Sequence, residues 1–197
     1  MNVSRETSER LATYLELLKK WSKKINLVSP ASLKDARSRH FADSIQLARL
    51  CKESAKTWVD LGSGGGFPGA VVAIVLAEER PDLSMTLVES DQRKCAFLRS
   101  VSRETSVPFN VIAKRIEDVA PLKADMLSAR ALAPLTDLCT FAERHLHKDG
   151  TALFPKGAKW VDEVKTAQKK WRFSLQTHTS ETSPEAVILE IGELSRA

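Results

Sequence analysis

Cysteine is scarce in this sequence, and the positions of the few cysteines exclude two kinds of site. The 197 residues include three cysteines, Cys51, Cys95 and Cys139, which lie far apart and form no CxxC pair. An odd number of separated cysteines is typical of reduced thiols and not of a disulfide framework or a structural zinc site. We therefore expect three free thiols.

Long apolar segments are also missing. The longest apolar run, residues 70–77, is too short to cross a bilayer, and the N-terminal residues carry no apolar stretch of the kind found in signal peptides. The sequence thus predicts a cytoplasmic protein that does not associate with membranes. Its formal net charge of +5 is compatible with an anionic partner such as nucleic acid, but proteins that bind no polyanion often carry a similar excess.

Helical periodicity dominates the N-terminal quarter of the chain. Apolar residues recur at helical spacing over residues 8–27, and a second helical stretch, with a possible break near His40, covers residues 32–50. From Thr57 onwards, short apolar runs alternate with helical patterns, which is typical of βα units in a parallel sheet. Five such strands are predicted, at residues 57–61, 84–89, 110–113, 125–129 and 152–154.

Two further strands, near residues 172–177 and 186–191, are joined by a short turn-rich segment. A connection this short makes them antiparallel. The fold class that we predict is therefore a Rossmann-like α/β domain over residues 55–197, in which a mostly parallel sheet ends in an antiparallel hairpin. An N-terminal helical cap precedes it over residues 1–54.

The most informative segment is VDLGSGGGFPG, residues 59–69, where the first strand gives way to a helix. Gly62, Gly64 and Gly66 have no Cβ, so the turn can be tight and the backbone can approach a ligand closely. This segment predicts a cofactor cleft. A purely structural glycine turn is the less favoured alternative.

The glycine spacing by itself does not identify the cofactor. Gly64, Gly66 and Gly69 also match the GxGxxG pattern of nicotinamide and flavin proteins, which is a weak signal alone. Asp60 before the glycines, Pro68 within the loop and the C-terminal hairpin favour S-adenosylmethionine, whose cationic methionine end Asp60 could attract. Glu89, at the end of the second strand, suits either cofactor because a carboxylate there accepts both ribose hydroxyls of an adenosine.

Other charged residues follow the later strands, where an open α/β sheet places its ligands. Arg115 and Glu117 follow the third strand and could meet an adenine edge, although an exposed charge at a helix start explains Glu117 equally well. Arg130 follows the fourth strand, either as a functional contact or as a cap on nearby carbonyls, and Lys156 follows the fifth. No Asn/Asp-Pro-Pro-aromatic loop follows the fourth strand, and no cysteine is found at a ligand end, which disfavours amino-group and carbon-5 methylation.

Several motifs together resemble one family. They are WSKKINL at residues 21–27, RHFADS at 39–44, DLGSGGGFPG at 60–69, Glu89-Ser90 with Lys94, and SARA at 128–131. Over residues 15–194 the chain resembles the bacterial glucose-inhibited division protein B family, class I methyltransferases that act on guanine N7 of small-subunit ribosomal RNA. The resemblance implies S-adenosylmethionine as cofactor, ribosomal RNA or the 30S particle as partner, and a monomer.

The resemblance also implies that Gly62, Phe67, Ile116, Glu117 and Arg130 bind the methyl donor, with Glu89 at its ribose. With the residues picked from the strand ends, the predicted cofactor-binding set is Asp60, Gly62, Ser63, Gly64, Gly66, Phe67, Glu89, Ser90, Arg115, Ile116, Glu117 and Arg130. Arg130 and Lys156 are the predicted catalytic residues, which would guide the guanine and offset its developing charge. No metal is expected.

Guanine N7 carries a free lone pair, so methylation there needs no general base. His40 and Asp43 are accordingly expected to make a structural hydrogen bond between the cap and the main domain. Lys19, Lys20, Lys23 and Lys24, with Arg37 and Arg39, form a predicted RNA-facing surface, and an ordinary solvated face is the alternative. Two other functions remain open at this point: a nicotinamide or flavin oxidoreductase, and a non-catalytic RNA-binding module for ribosome assembly.

Overall fold

The computed structural model describes residues 3–197. Within them, seven α-helices and seven β-strands follow one another in the chain. The helices are α1 (Arg5–Ser22), α2 (Pro30–Lys34), α3 (Ala42–Ala48), α4 (Gly69–Leu76), α5 (Gln92–Thr105), α6 (Leu135–His145) and α7 (Trp160–Ala167). The strands are β1 (Thr57–Leu61), β2 (Ser84–Val88), β3 (Asn110–Ile112), β4 (Ala124–Ala129), β5 (Leu146–Lys156), β6 (Trp171–Thr179) and β7 (Val187–Arg196).

The strands form a single sheet in the order β3-β2-β1-β4-β5-β7-β6. The pairs from β3 to β5 are parallel, whereas β7 is antiparallel to both β5 and β6. The predicted fold class is therefore confirmed. Because the order reverses between β1 and β4, the carboxyl ends of these two strands flank the crevice in which open α/β sheets bind ligands.

Several predicted bounds were wrong. The first helix begins at Arg5, because Ser4 caps it by accepting a hydrogen bond from the Thr7 amide, and it ends at Ser22 instead of residue 27. Strand β5 begins at Leu146, directly after α6, well before the predicted residue 152. Residues 147–149 of this strand are exposed and polar, so their sequence gives no apolar strand signal.

The predicted second helix, residues 32–50, consists of α2 and α3 joined by a π-helical turn, Arg37–Phe41. The expected break near His40 is thus real, and its form is a wider helical turn. Such turns are frequent at functional sites, because they re-aim side chains that a regular helix would place elsewhere. Here the turn carries Arg39 and His40.

The N-terminal helices share an apolar core with one face of the sheet. Tyr14 of α1 is fully buried, with its ring centroid 5.0 Å from that of Phe41 and 5.5 Å from that of Phe67. Its hydroxyl donates a hydrogen bond to the Gly65 carbonyl. The opposite face packs Val59 and Leu61 against α6 and α7. The predicted cap is consequently packed against the glycine segment itself.

Two kinds of feature are not found among residues 3–197. No helix there has the length and hydropathy that a membrane span needs. No group of three or more His, Cys, Asp or Glu side chains there is placed to hold a metal ion. The three cysteines are free, as predicted, with Cys95 and Cys139 buried and Cys51 partly exposed.

Candidate active site

The segment between β1 and α4, residues 62–68, forms the glycine loop. Gly62, Gly64 and Gly66 have φ values of 63°, 55° and 87°, in the left-handed region that favours glycine. A Cβ added at Gly66 would also overlap the hydroxyl of Tyr14. Glycine is thus required here by both backbone conformation and space.

Glu89 ties the glycine loop to the start of α5. Its Oε2 accepts a hydrogen bond from the Gly64 amide at 2.8 Å, and its Oε1 accepts one from the Asp91 amide at 2.8 Å. The residue is 8% exposed. The carboxylate is therefore held in one orientation at the carboxyl end of β2, where it can also accept hydrogen bonds from sugar hydroxyls.

A cavity of about 360 Å³, which we call the glycine-loop cavity, opens beside this carboxylate. Seven of the predicted cofactor-binding residues line it: Gly62, Gly64, Glu89, Ser90, Arg115, Ile116 and Glu117. Ile116 and Glu117 belong to a short 3-10 turn, Ile116–Asp118, after β3. The structure thus brings together residues from the ends of three neighbouring strands, as the sequence predicts.

A second cavity of about 730 Å³, the arginine cavity, is lined by both predicted catalytic residues, Arg130 and Lys156. Arg39, His40 and Asp43 also line it. Ala131, Leu132 and Ala133 line both cavities. Residues 131–133 therefore form a shared wall, and the two cavities adjoin.

Arg130 is held by the N-terminal segment. Its side chain is 17% exposed, with Nη2 at 3.0 Å from His40 Nδ1 and Nη1 at 3.6 Å from Asp43 Oδ2. The guanidinium carbon lies 5.2 Å from the centroid of the Phe67 ring, within cation–π range. The expected structural hydrogen bond between the cap and the main domain is confirmed, and its partner is Arg130.

Burial and the neighbouring Arg130 determine the protonation state of His40. A guanidinium only donates, so His40 Nδ1 accepts and the proton of the neutral ring is on Nε2. Burial and the positive charge of Arg130 lower the pKa of His40 to about 4. His40 is therefore neutral at physiological pH, and its Nε2 has no hydrogen-bond partner in the described part of the chain.

Lys156 is also held by neighbouring groups. Its Nζ donates to the Ala133 carbonyl at 3.0 Å and to Glu163 Oε2 at 2.7 Å, and its side chain is 9% exposed. The same Glu163 oxygen accepts the Leu135 amide at 2.8 Å. Lys156 thus holds the shared wall just before the start of α6. The guanine contact that the sequence predicts for Lys156 stays a prediction.

Asp60 lies beneath the glycine loop and lines neither cavity. It is fully buried, and its Oδ1 accepts a 2.6 Å hydrogen bond from Ser128 Oγ, which in turn accepts one from Trp58 Nε1. Asp60 Oδ2 has no partner among residues 3–197. Burial raises the pKa of Asp60 to about 6. Ser63, Gly66 and Phe67 likewise lie outside both cavity linings.

Comparison with known proteins now identifies the family. The model of one family, described as GidB, rRNA small subunit methyltransferase G, matches residues 7–188. The chain belongs to this family.

Its relatives support the assignment over the whole length of this GidB chain. Ribosomal RNA small subunit methyltransferase G of Ruegeria pomeroyi is 55% identical over 196 residues, which cover 100% of this chain and 96% of the relative. The protein of the same name from Paracoccus denitrificans is 53% identical over 198 residues, with 100% of both chains covered. The predicted family is confirmed, and the oxidoreductase alternative is not favoured.

Solved structures of other methyltransferases share the fold. A SAM-dependent methyltransferase from Aquifex aeolicus superposes with a TM-score of 0.61 at 10% identity, covering 90% of this chain and 96% of that one. At this identity the likeness shows the fold alone. Together with the family, it makes this chain a methyltransferase of the S-adenosylmethionine-dependent class, as predicted.

Sequence reasoning missed part of the arginine cavity of this GidB protein. Ser180 and Ser183, in the loop between β6 and β7, line that cavity. The loop is docked on α3, where the Glu181 amide donates to Gln46 Oε1 at 2.8 Å and Thr182 Oγ1 donates to Asp43. Residues so far apart in the chain leave no periodic or motif signal, and the sequence shows the loop only as turn-rich.

Proposed function

We propose that this chain transfers a methyl group from S-adenosylmethionine to N7 of a guanine in small-subunit ribosomal RNA. The observation that carries the proposal is the pair of adjoining cavities. The glycine-loop cavity has a carboxylate and the apolar side chain of Ile116, which suit an adenosine, and the arginine cavity has a partly buried guanidinium, which suits a base. Residues 131–133 line both of them.

The residues around the glycine-loop cavity fit the donor. Its volume of about 360 Å³ lies within the ordinary range of ligand pockets, and Glu89 is placed to accept hydroxyl hydrogen bonds. Ile116 offers an apolar surface to an adenine ring, with Glu117 beside it. We assign donor contacts to the seven residues that line the cavity, and support of the loop from beneath to Asp60, Ser63, Gly66 and Phe67.

Arg130 is the proposed catalytic residue, because its largely buried guanidinium lines the larger cavity directly beside the shared wall, whereas Arg39 is exposed. S-Adenosylmethionine supplies the electrophilic methyl group, and guanine N7 attacks it with a lone pair that needs no deprotonation. Arg130 can donate to guanine O6, the usual arginine contact to this base, and can so hold N7 in line with the methyl group. Because the base becomes positively charged as the methyl arrives, a guanidinium cannot offset that charge, and we propose a positioning contact to the base instead. Lys156 contributes by fixing the shared wall against which the base is aligned.

The proposed RNA-facing surface lies on the N-terminal segment, residues 1–54, which we propose as a helical cap on the main domain, residues 55–197. Lys19, Lys20, Lys23 and Lys24 are exposed on or just after α1, and Arg37 and Arg39 are exposed on the π-helical turn. Arg39 also lines the arginine cavity, so cationic side chains extend to its mouth. Phosphate contacts of this kind position a nucleic acid without reading its sequence.

We further propose that the enzyme acts as a monomer in the cytoplasm. The substrate is the ribosomal RNA itself or the 30S particle.

The function is tested by treating small-subunit RNA and small-subunit particles from cells that lack this protein with methyl-labelled donor. N7 modification is then mapped by borohydride and aniline cleavage. We expect label at one guanine in at least one of the two substrates. RNA binding without methyl transfer would instead support the ribosome-assembly alternative, and label at another base atom would contradict the proposed chemistry.

A further inference from the structure

The last turn of α6 makes three hydrogen bonds to the 3-10 turn after β3. Arg144 donates to the Val119 carbonyl from Nε at 3.1 Å and from Nη2 at 2.9 Å. His145 Nε2 lies 3.1 Å from the Ile116 carbonyl. Two adjacent side chains thus bind the two carbonyls at the start and the end of one turn.

The bond from His145 has a definite direction. A carbonyl only accepts, so the proton is on Nε2. The residue is fully buried, and its Nδ1 has no partner within the part of the chain that the structure describes. Burial lowers the pKa of His145, so the ring stays neutral and donates through Nε2 alone.

The turn needs this support because its own hydrogen bonds are few. The Asp118 amide donates to the Arg115 carbonyl at 3.0 Å, and the Val119 amide donates to the Ile116 carbonyl at 3.3 Å. The turn also supplies Ile116 and Glu117 to the wall of the glycine-loop cavity. The position of this wall therefore depends on what holds the turn against the rest of the domain.

We propose that Arg144 and His145 are positioning residues that set the affinity for the adenosyl end of the methyl donor by holding the turn at Ile116–Asp118. Neither residue lines the glycine-loop cavity, so they act through the backbone carbonyls that they bind. The proposal deepens the proposed function and rests on the donor occupying this cavity.

The opposite end of α6 is held separately. The Leu135 amide donates to Glu163, which also binds Lys156. Loss of the bonds at the Arg144 end should therefore leave the shared wall and the arginine cavity in place. The expected kinetic signature is a raised KM for the donor with kcat nearly unchanged.

His145 is tested with a matched pair of variants. His145→Phe keeps an aromatic ring but removes the donor, whereas His145→Gln keeps an amide N–H near the position of Nε2. We expect roughly tenfold weaker binding of S-adenosylhomocysteine to the phenylalanine variant, as the loss of one buried hydrogen bond would give. The glutamine variant should recover most of the affinity.

Calorimetric titration with methylthioadenosine, which lacks the amino acid portion of S-adenosylhomocysteine, shows which end of the ligand loses affinity. An equal reduction in affinity for both ligands places it at the adenosyl end. Arg144→Lys should weaken both ligands by a few-fold, roughly threefold, because an ammonium cannot reproduce the two bonds made by one guanidinium. Arg103→Lys is the matched control, since the Arg103 side chain is exposed and its partner among residues 3–197 is the neighbouring Glu104.

Affinities and donor KM values equal to those of the wild type in both His145→Phe and Arg144→Lys would overturn the inference. So would a fall in kcat in proportion to a fall in melting temperature, which a purely structural role predicts. If His145→Phe does not fold, the ligand affinities, donor KM and kcat of Arg144→Lys alone test the inference. Failure of the wild-type protein to bind S-adenosylhomocysteine would instead refute the proposed function on which the inference rests.

Discussion

The two cavities of this protein are built in different ways. The glycine-loop cavity takes its walls chiefly from the ends of β1, β2 and β3, so each contributing segment follows a strand that is recognisable in the sequence. The arginine cavity combines the N-terminal segment, the ends of β4 and β5, and the loop between β6 and β7. The strand ends of the sheet therefore form the glycine-loop cavity, whereas contacts between segments that are distant in the chain form the arginine cavity.

The difference extends to the charged group in each cavity. Glu89 is fixed by two amides from its own strand end and the adjacent loop. Arg130 is fixed by His40 and Asp43, and Asp43 in turn holds the hairpin loop through Thr182. Substitutions in the two cavities should therefore separate donor binding from methyl transfer.

The largest effect is expected for Arg130→Ala. Methyl transfer should fall by about 100-fold, because a guanine that is misplaced by about 1 Å relative to the methyl group can lose this much rate. Affinity for S-adenosylhomocysteine should change by less than roughly threefold, about 0.7 kcal/mol, if Arg130 serves the arginine cavity alone. Activity assays measure the rate of methyl transfer, calorimetry measures the affinity for S-adenosylhomocysteine, and circular dichroism shows whether the variant is folded. Full activity in a folded variant would remove Arg130 from the mechanism.

Glu89→Gln should show the converse pattern. An amide has one acceptor oxygen, so the bond to the Gly64 or the Asp91 amide is lost, and the amide nitrogen cannot accept a hydrogen bond from a ribose hydroxyl. We expect affinity for S-adenosylhomocysteine to fall about tenfold to thirtyfold, as for charge-assisted hydrogen bonds, with kcat at saturating donor little changed. Unchanged calorimetric affinity would contradict the placement of the ribose at Glu89.

The N-terminal segment beside the arginine cavity is expected to contact RNA phosphates through its lysines. A variant tests this contact by replacing four of them with glutamine: Lys19, Lys20, Lys23 and Lys24. RNA affinity should drop several-fold, and the dependence of log K on log salt should flatten by roughly 0.7 to 0.9 for each phosphate that the variant no longer neutralises. Filter binding at a series of salt concentrations gives the slope. The same slope as wild type would reject this surface, and glutamines at exposed Lys165, Lys169 and Lys170 provide the control.

The smallest effect concerns the support of Arg130 by His40. The pKa of His40 in the folded protein is about 4, below its ordinary value of 6.5, so folding favours the neutral ring. The stability that this ring contributes is present above pH 6.5 and is lost as the pH falls toward 4. Between pH 6.5 and pH 4, the free energy of unfolding of the wild type should fall by about 1 kcal/mol relative to that of His40→Gln. The expected change is this small because solvent screens the charge on a partly exposed ring.

Urea unfolding of both proteins near neutral and acidic pH measures this difference. Asp60, whose pKa is raised to about 6, shifts stability in the opposite direction over part of this range. It is present in both proteins, so its contribution cancels in the comparison. A difference that does not change with pH would show that His40 does not carry the lowered pKa.

The contrast between the cavities also explains what could be predicted from the sequence. Strand β1 was predicted at its observed bounds, and seven predicted donor residues meet in one cavity, because apolar runs and glycines encode strand ends locally. The docking of Thr182 on Asp43 and the pairing of Lys156 with Glu163 were not predicted. These contacts depend on how separate elements pack, and a polar residue in a turn or on a helix gives no sign of its distant partner.

The burial of Asp60 has a similar explanation. The sequence places it at the end of a strand, but it does not reveal that the side chain faces α4 and not the crevice. Trp58 and Ser128 surround the carboxyl group in the core. Strand alternation gives two faces, and only the packing of the helices decides which one each side chain meets.

The most direct measurement is an experimental structure of the complex with S-adenosylhomocysteine. The account predicts the adenine beside Ile116, the ribose hydroxyls within hydrogen-bond distance of Glu89, and the sulfur at residues 131–133, facing the arginine cavity. A ligand seated in the arginine cavity, or one whose sulfur faces away from Arg130, would contradict it.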